Sequence, residues 1–196
     1  MRLVVLNHLT LDGVLQSPGG PDEDTRGGFR HGGWAVPGND EVMGRVLGER
    51  SGGGGGGLLL GRRSYEQMLA HWNDVGGPFK DQLNDSPKYV VSSSATTQLA
   101  WPSSTLVHGD VPSAVADLKG QPGGDITIMG SGQLIRSLLP HDLIDEYLLM
   151  IHPIVLGSGQ RLFEQEDHLT RLRLIDCATT TTGVVMATYA PAQAGN

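Results

Sequence analysis

Apolar residues recur along this chain at two spacings, every second position and every third or fourth, and they divide it into alternating strand and helix candidates. Residues 2–9 (RLVVLNHL) form a buried-strand candidate that ends in the tight turn Thr10-Leu11-Asp12-Gly13. A helix capped by Asn39 or Asp40 and running through Glu49 carries Val42, Met43, Val46 and Leu47 on one face. Leu58-Leu59-Leu60 is a short buried strand that passes through Gly61-Arg62-Arg63-Ser64 into a second helix, with Tyr65, Met68 and Leu69 on its apolar side. His71 to Asp85, with Trp72 inside it, reads as irregular. Lys88 to Val91 is a strand ending in Ser92-Ser93-Ser94, and Thr105 to Val107 is another. Val111 to Lys119 is a short helix with Pro112 in its first turn.

The pattern is sharpest from Asp125 to Leu139. Ile126, Ile128 and Met129 are strand-like, Gly130-Ser131-Gly132 interrupts them, and Leu134, Ile135, Leu138 and Leu139 then recur at helical spacing. Asp142 to His152 follows as a long strand, and Pro153 to Leu156 leads to a second glycine turn, Gly157-Ser158-Gly159. The two GSGQ stretches have different flanks and are not read as an internal repeat. Leu172 to Ala178 and Val184 to Ala190 form a hairpin across Thr182-Gly183.

This order predicts one α/β domain over residues 1–196, with a mostly parallel sheet that ends in an antiparallel C-terminal hairpin. The six glycines Gly52 to Gly57 lack the Lys-Ser/Thr pair of a P-loop and read as a flexible connector. A flexible tail is expected over about 191–196. Ser17 to Gly33 is a glycine- and charge-rich loop, long enough to suggest a functional role.

Composition narrows the partners. Fourteen basic against twenty-one acidic residues give a net charge of −7, so a nucleic-acid backbone would be repelled on average. No apolar run approaches the roughly 20 residues that cross a bilayer, and the N-terminus has no signal-peptide pattern. One cysteine, Cys177, excludes an internal disulfide framework and suits a reducing compartment. The expectation is a cytoplasmic protein without nucleic-acid or membrane partners.

Candidate chemistry gathers at strand ends, where α/β sheets bind ligands. Gly130 to Ile135 places backbone N–H groups at a helix start, either a phosphate site or ordinary α/β punctuation. Arg62, Arg63 and Ser64 open a helix where cations are disfavoured; either an anion is expected there or the arginines are solvated surface. Gly130-x-Gly132-x-x-Ile135 lacks the third glycine of the Rossmann fingerprint. No Ser-His-Asp or Cys-His arrangement is apparent, and the seven histidines have no metal-ligand spacing, so no metal is expected. Asp12 is either a polar group at a substrate site or an Asp-Gly turn residue. Asp40 is either a helix cap or a ligand-binding carboxylate, and Trp34 and Trp72 either wall a pocket or fill the core.

Several segments in order resemble the dihydrofolate reductase superfamily, in particular the reductase domain of the bacterial bifunctional riboflavin-pathway enzyme. They are LTLDG at Leu9 to Gly13, HGGW at His31 to Trp34, LLLGRRSYEQM at Leu58 to Met68, KYVVSSS at Lys88 to Ser94, and residues 126–163. The resemblance implies a three-layer α/β/α fold, NADPH as cofactor and a homodimer. It implies that Gly61, Arg62, Arg63, Ser64, Ser92, Ser93, Ser94, Gly130, Ser131, Gly132, Gln133, Leu134 and Ile135 hold the cofactor. Asp12 becomes the candidate catalytic residue, and Asp12, Trp34, Asp40 and Trp72 the candidate substrate contacts. The implied activity is hydride transfer to a small heterocyclic or carbonyl-type substrate, as in dihydrofolate reductase or 5-amino-6-(5-phosphoribosylamino)uracil reductase. The alternative is a catalytically idle NADPH- or ligand-binding protein of the same fold.

Overall fold

The strands of the computed structural model, which describes residues 1–51, 56–164 and 169–192, are β1 (Leu3–Thr10), β2 (Gly57–Gly61), β3 (Lys88–Val91), β4 (Ser104–Val107), β5 (Ile126–Ile128), β6 (Glu146–His152), β7 (Leu172–Thr179) and β8 (Val185–Pro191). The helices are α1 (Glu41–Ser51), α2 (Arg62–Val75), α3 (Pro78–Asp85), α4 (Val111–Lys119) and α5 (Gly132–Leu138). All eight strands join one sheet in the order β4-β3-β2-β5-β1-β6-β8-β7. Pairings from β4 through β6 are parallel, and β6–β8 and β8–β7 are antiparallel. The mixed sheet and its terminal hairpin follow the alternation of apolar positions.

Each strand splits its side chains between two layers, because successive residues of a strand point to opposite faces. Leu3, Val5, Leu9, Leu59, Ile126 and Ile128 pack with Val115 and Leu118 of α4 and with Leu134, Ile135 and Leu138 of α5. On the other face Leu58, Leu60 and Val90 meet Tyr65 of α2 and Leu83 of α3. On that same side of β1, Leu6 joins Leu148, Met150 and Met186 against Met43 of α1. Helices therefore cover both faces, and α1 and α2 stand over different strands of one face.

The layers are tied by polar clamps at the sheet's lower edge. Asp145 accepts from Leu3 N at 2.7 Å and from Lys119 Nζ of α4 at 2.6 Å. Glu146, one residue on and buried, accepts from Arg2 and from Arg50 of α1. Adjacent carboxylates thus serve opposite faces, as strand geometry requires.

Four expectations need correction. Residues 71–85 are helical: α2 continues to Val75 and α3 begins at Pro78. Trp72 extends the apolar i, i+3, i+4, i+7 series of Tyr65, Met68 and Leu69, Gly76-Gly77 ends it with two positive φ angles, and Pro78 starts the next helix. The strand expected from Asp142 begins at Glu146, because Leu139–His141 is a 3-10 turn followed by Asp142 at φ 52°. Gly57 belongs to β2 rather than to a connector, while residues 52–55 lie outside the described residues. Pro191 closes β8, and the expected tail beyond Ala192 lies outside the described residues.

The buried Tyr65 hydroxyl accepts from Trp101 N at 2.6 Å and from Ser104 Oγ at 3.2 Å, joining α2 to β4. Tyr65→Phe should leave that amide unsatisfied and lower the unfolding free energy by about 1–3 kcal/mol, read as a lower urea midpoint at unchanged slope.

Candidate functional site

β2 and β5 are parallel neighbours, so the turns that leave their carboxyl ends lie side by side. After β2 the chain enters α2 at once, with Gly61 as its cap residue and Arg62, Arg63 and Ser64 in the first turn. After β5 it passes Met129 and Gly130 to Ser131, whose hydroxyl caps α5 by accepting from Leu134 N at 3.4 Å. The Gly130-Ser131 peptide is cis. The two turns touch. A Cβ on Gly61 would lie 2.6 Å from Ser131 Oγ, and one on Gly130 would lie 3.3 Å from Ser64 Oγ. A Cβ on Gly132 would come within 2.8 Å of Leu15. Glycine is required here by close approach as well as by the positive φ of Gly130.

Two helix starts thus converge from opposite layers. The chain leaves β2 toward α2 on one face and β5 toward α5 on the other, the arrangement that opens a crevice beyond the strand ends. Within it the cofactor-site expectations separate. Leu134 and Ile135 are core residues, and their amides are already spent on Ser131 Oγ and Ser131 O. Gly132 and Gln133 are the first two residues of α5, and their amides have no helical partner. Arg62 lies along the helix surface with Glu66, at 2.7 and 2.9 Å. Arg63 is exposed and has no partner among the described residues. At the end of β3, Ser92 is buried against Thr97 and accepts from Ser94 N, whereas Ser93 and Ser94 are exposed.

Beyond this crevice the strip of sheet between α1 and α2 is only half-buried, and we read it as a groove. Its floor is the half-buried set Leu6, His8, Thr127 and Met129, on the face where α1 and α2 pack. The 17–33 loop reaches across to α2, where Gln67 donates to the carbonyl of Glu23. Gln16 anchors this loop from within. Its amide nitrogen donates to the carbonyls of Asp24 and Arg26 and its oxygen accepts from Gln160 N, each at 3.0 Å. Its own carbonyl accepts from Trp34 Nε1 at 2.8 Å. Trp34 is buried at the carboxyl end of the groove, edge-on to His152 at 5.3 Å.

A family model described as the RibD C-terminal domain matches residues 2–186. The chain belongs to the RibD C-terminal domain family. It is 35% identical over 193 residues to the Bacillus subtilis (strain 168) protein YyaP, an alignment covering 96% of this chain and 94% of YyaP. A protein from Shewanella sp. PV-4 assigned to riboflavin biosynthesis superposes with a TM-score of 0.73 at 25% identity, covering 98% of this chain and 100% of that one. Dihydrofolate reductase from Enterococcus faecalis, solved with NADP(H) and a second ligand, superposes at 0.61 with 14% identity, covering 97% and 96%. At that identity the last likeness speaks for the fold, which is dihydrofolate reductase-like.

Among the four expected substrate contacts of this RibD C-terminal domain, Trp72 stands apart from Trp34. Trp72 sits about 15 Å along α2 from the crevice, given 1.5 Å per residue, and stacks near Phe79 in another cluster than Trp34. The two tryptophans wall no common pocket. Asp40 caps α1 by accepting from Met43 N at 2.8 Å, and its other oxygen accepts from Thr181 N and Oγ1. Asp12 accepts from Thr10 Oγ1 at 2.6 Å, from Leu156 N at 3.2 Å and from Gly157 N at 2.9 Å, with Arg161 close by. It fastens the turn after β1 to residues 156–161. Two histidines that no sequence motif marks, His8 and His152, meet on the groove side with Nδ1 and Nε2 2.8 Å apart. Their signal is readable only once β1 and β6 are known to be parallel neighbours, since 144 residues separate them.

The Thr10 hydroxyl, and then the amides of Gly157 and Leu156, hold the Asp12 carboxylate ionised, with its pKa lowered from 3.8 to about 2. A folded-state pKa below the unfolded one contributes stability above the unfolded value, which is lost as pH falls from about 4 toward 2. Urea midpoints measured across that window should fall for the natural protein and fall less steeply for Asp12→Asn.

Proposed function

We propose that the protein is an NADPH-dependent oxidoreductase that passes a hydride to a small heterocyclic or carbonyl-type substrate. The observation that carries this reading is the contact between the two glycine turns at the ends of β2 and β5. The space a Cβ would fill at Gly61, Gly130 and Gly132 is taken by Ser131, Ser64 and Leu15, so backbone is brought up bare against the crevice. The unspent amides of Gly132 and Gln133 begin α5 beside the start of α2, which suits a pyrophosphate held between two helix starts. Arg63, free of any partner among the described residues, together with Ser93 and Ser94, supplies donors for a 2′-phosphate. A site preferring the unphosphorylated cofactor usually carries an Asp or Glu at such a strand end, and β3 ends in serines.

A reduced nicotinamide bound there supplies the hydride. The chain's own work is positional. Leu6, Thr127 and Met129 offer a largely apolar floor on which a planar acceptor can lie, and Trp34 closes one end. The loop pinned by Gln16 and joined to Gln67 covers the groove and limits water. Asp12 is read as a positioning residue that holds residues 156–161 against β1. Edge strand β7, with Leu174 and Ile175 half-exposed, is read as the surface on which a second copy docks to form a homodimer. We read the protein as acting in the cytoplasm, where its exposed Cys177 stays reduced.

A fluorescence titration with NADPH and a spectrophotometric scan against pterins, ribosylamino-pyrimidines, flavins and quinones test this directly. Turnover of at least one acceptor is expected; tight NADPH binding without turnover on any of them would favour an idle binding protein. Arg63→Ala should weaken NADPH about tenfold, roughly 1.4 kcal/mol, and leave NADH nearly unchanged. Arg62→Ala should cost less, because Arg62 already pairs with Glu66. Equal losses for the two cofactors would remove the 2′-phosphate assignment.

A further inference from the structure

We propose that His8 is the catalytic acid that protonates the reduced substrate and that His152 is the positioning residue behind it; this rests on the reductase reading above. Strand alternation puts His8 on the side of Leu6, the groove side, and puts His152 on the side of Leu148 and Met150. The rings tilt together with centroids 5.1 Å apart, and His8 Nδ1 lies 2.8 Å from His152 Nε2. At that separation one proton lies between the two nitrogens. His8 Nε2 has no partner among the described residues, and the ring is half-buried, so this nitrogen opens on the groove.

The pair is built in from behind. His152 is 2% exposed, with the edge of Trp34 against it. Gly38 passes so close that a Cβ there would lie 2.6 Å from His152 Nδ1 and Cε1. Nearby carboxylates are turned to other partners, Asp12 to Thr10 and loop amides, Asp40 to Met43 and Thr181. Burial, and then the neighbouring His152, lower the His8 pKa from 6.5 to about 4, and burial lowers that of His152. Both rings are therefore neutral near pH 7. With His152 donating Nε2–H to His8 Nδ1, His8 is fixed as the Nε2–H tautomer and points a donor at the substrate. Neutral imidazole can polarise and protonate an acceptor where the developing anion is strongly basic.

A bound reduced nicotinamide would supply hydride to the carbon of a C=O or C=N acceptor, and the π pair would move to the heteroatom. That atom takes the proton from His8 Nε2. The His152 Nε2–H bond to Nδ1 supports the charge left on His8, and a solvent proton returns to His8 Nε2 from its open side. Asp12, bound on every side and ionised, is left as a structural clasp.

Nitrogen-15 NMR of the full chain labelled at histidine reads the state of the pair without any ligand. His8 should remain neutral from pH 8 to about 5, protonated at Nε2; a His8 that titrates near 6.5 or carries its proton at Nδ1 overturns the proposal. Kinetics with NADPH and 9,10-phenanthrenequinone, or whichever acceptor the scan finds turned over, read the catalytic role. His8→Gln should lower kcat by about 10²–10³-fold while NADPH affinity stays within about twofold. His152→Gln should lower kcat by about tenfold at unchanged KM and shift the His8 titration. A His8→Gln enzyme with full kcat sinks the assignment of His8 and leaves the reductase reading standing. A natural protein that binds NADPH and reduces none of the acceptors sinks the donor role, and one that binds no NADPH sinks the reductase reading itself.

Discussion

The absence of a side chain at three glycines is the constraint on which this architecture turns. At the carboxyl ends of β2 and β5 the chain departs toward opposite layers, and the two departures must cross within van der Waals reach. A Cβ on Gly61 would lie 2.6 Å from Ser131 and one on Gly132 2.8 Å from Leu15, while Gly130, tight against Ser64, is held to glycine by its positive φ. Because nothing is interposed, the first turns of α2 and α5 stand together with unspent amides and Arg63 beside them. The same crossing separates the helical layers, with α4 and α5 over one face and α1, α2 and α3 over the other. The groove is the strip of the second face left between α1 and α2.

Around that strip the polar groups are spent on holding backbone. Gln16 satisfies loop carbonyls and an amide of the 153–162 segment, Asp12 satisfies two more amides of that segment, and Asp40 caps α1 while holding the Thr181 turn. Each is a carboxylate or amide whose oxygens accept from loop N–H groups and so fix the course of the backbone. Loops fixed in this way can flank a groove without collapsing into it. At the opposite edge of the sheet, Asp145 and Glu146 bind one layer each through Lys119 and Arg50. Among the described residues His8 is the titratable side chain on this strip whose outer nitrogen is left without a partner.

Much of the fold was readable because its signals are local. Leu58-Leu59-Leu60 before Gly61, Ile126 and Ile128 before Gly130, and the alternating hairpin residues each carry their period within a few positions. The errors were local too. Trp72 continued the apolar face of α2, but its neighbours His71, Asn73 and Asp74 diluted the pattern, and only the docking of α2 and α3 on β2 and β3 shows that face in use. Asp142 to Asp145 had a strand's composition and became a turn, because Leu139 to His141 had to close α5 before the chain could re-enter beside β1.

By itself the amino-acid sequence determined most of the strands and helices, residues 71–85 and 142–145 apart, and where glycine must stand, since period and backbone freedom are properties of neighbouring residues. It also determined the family. Which of those residues face one another was decided by the sheet order β2-β5-β1-β6 alone. That order set Gly61 against Ser131, parted Trp34 from Trp72, turned Asp12 and Asp40 into clasps, and put His8 beside His152 across 144 residues. Contacts between distant segments depend on strand register and on which face each connection takes, and neither is written in the spacing of residues along the chain.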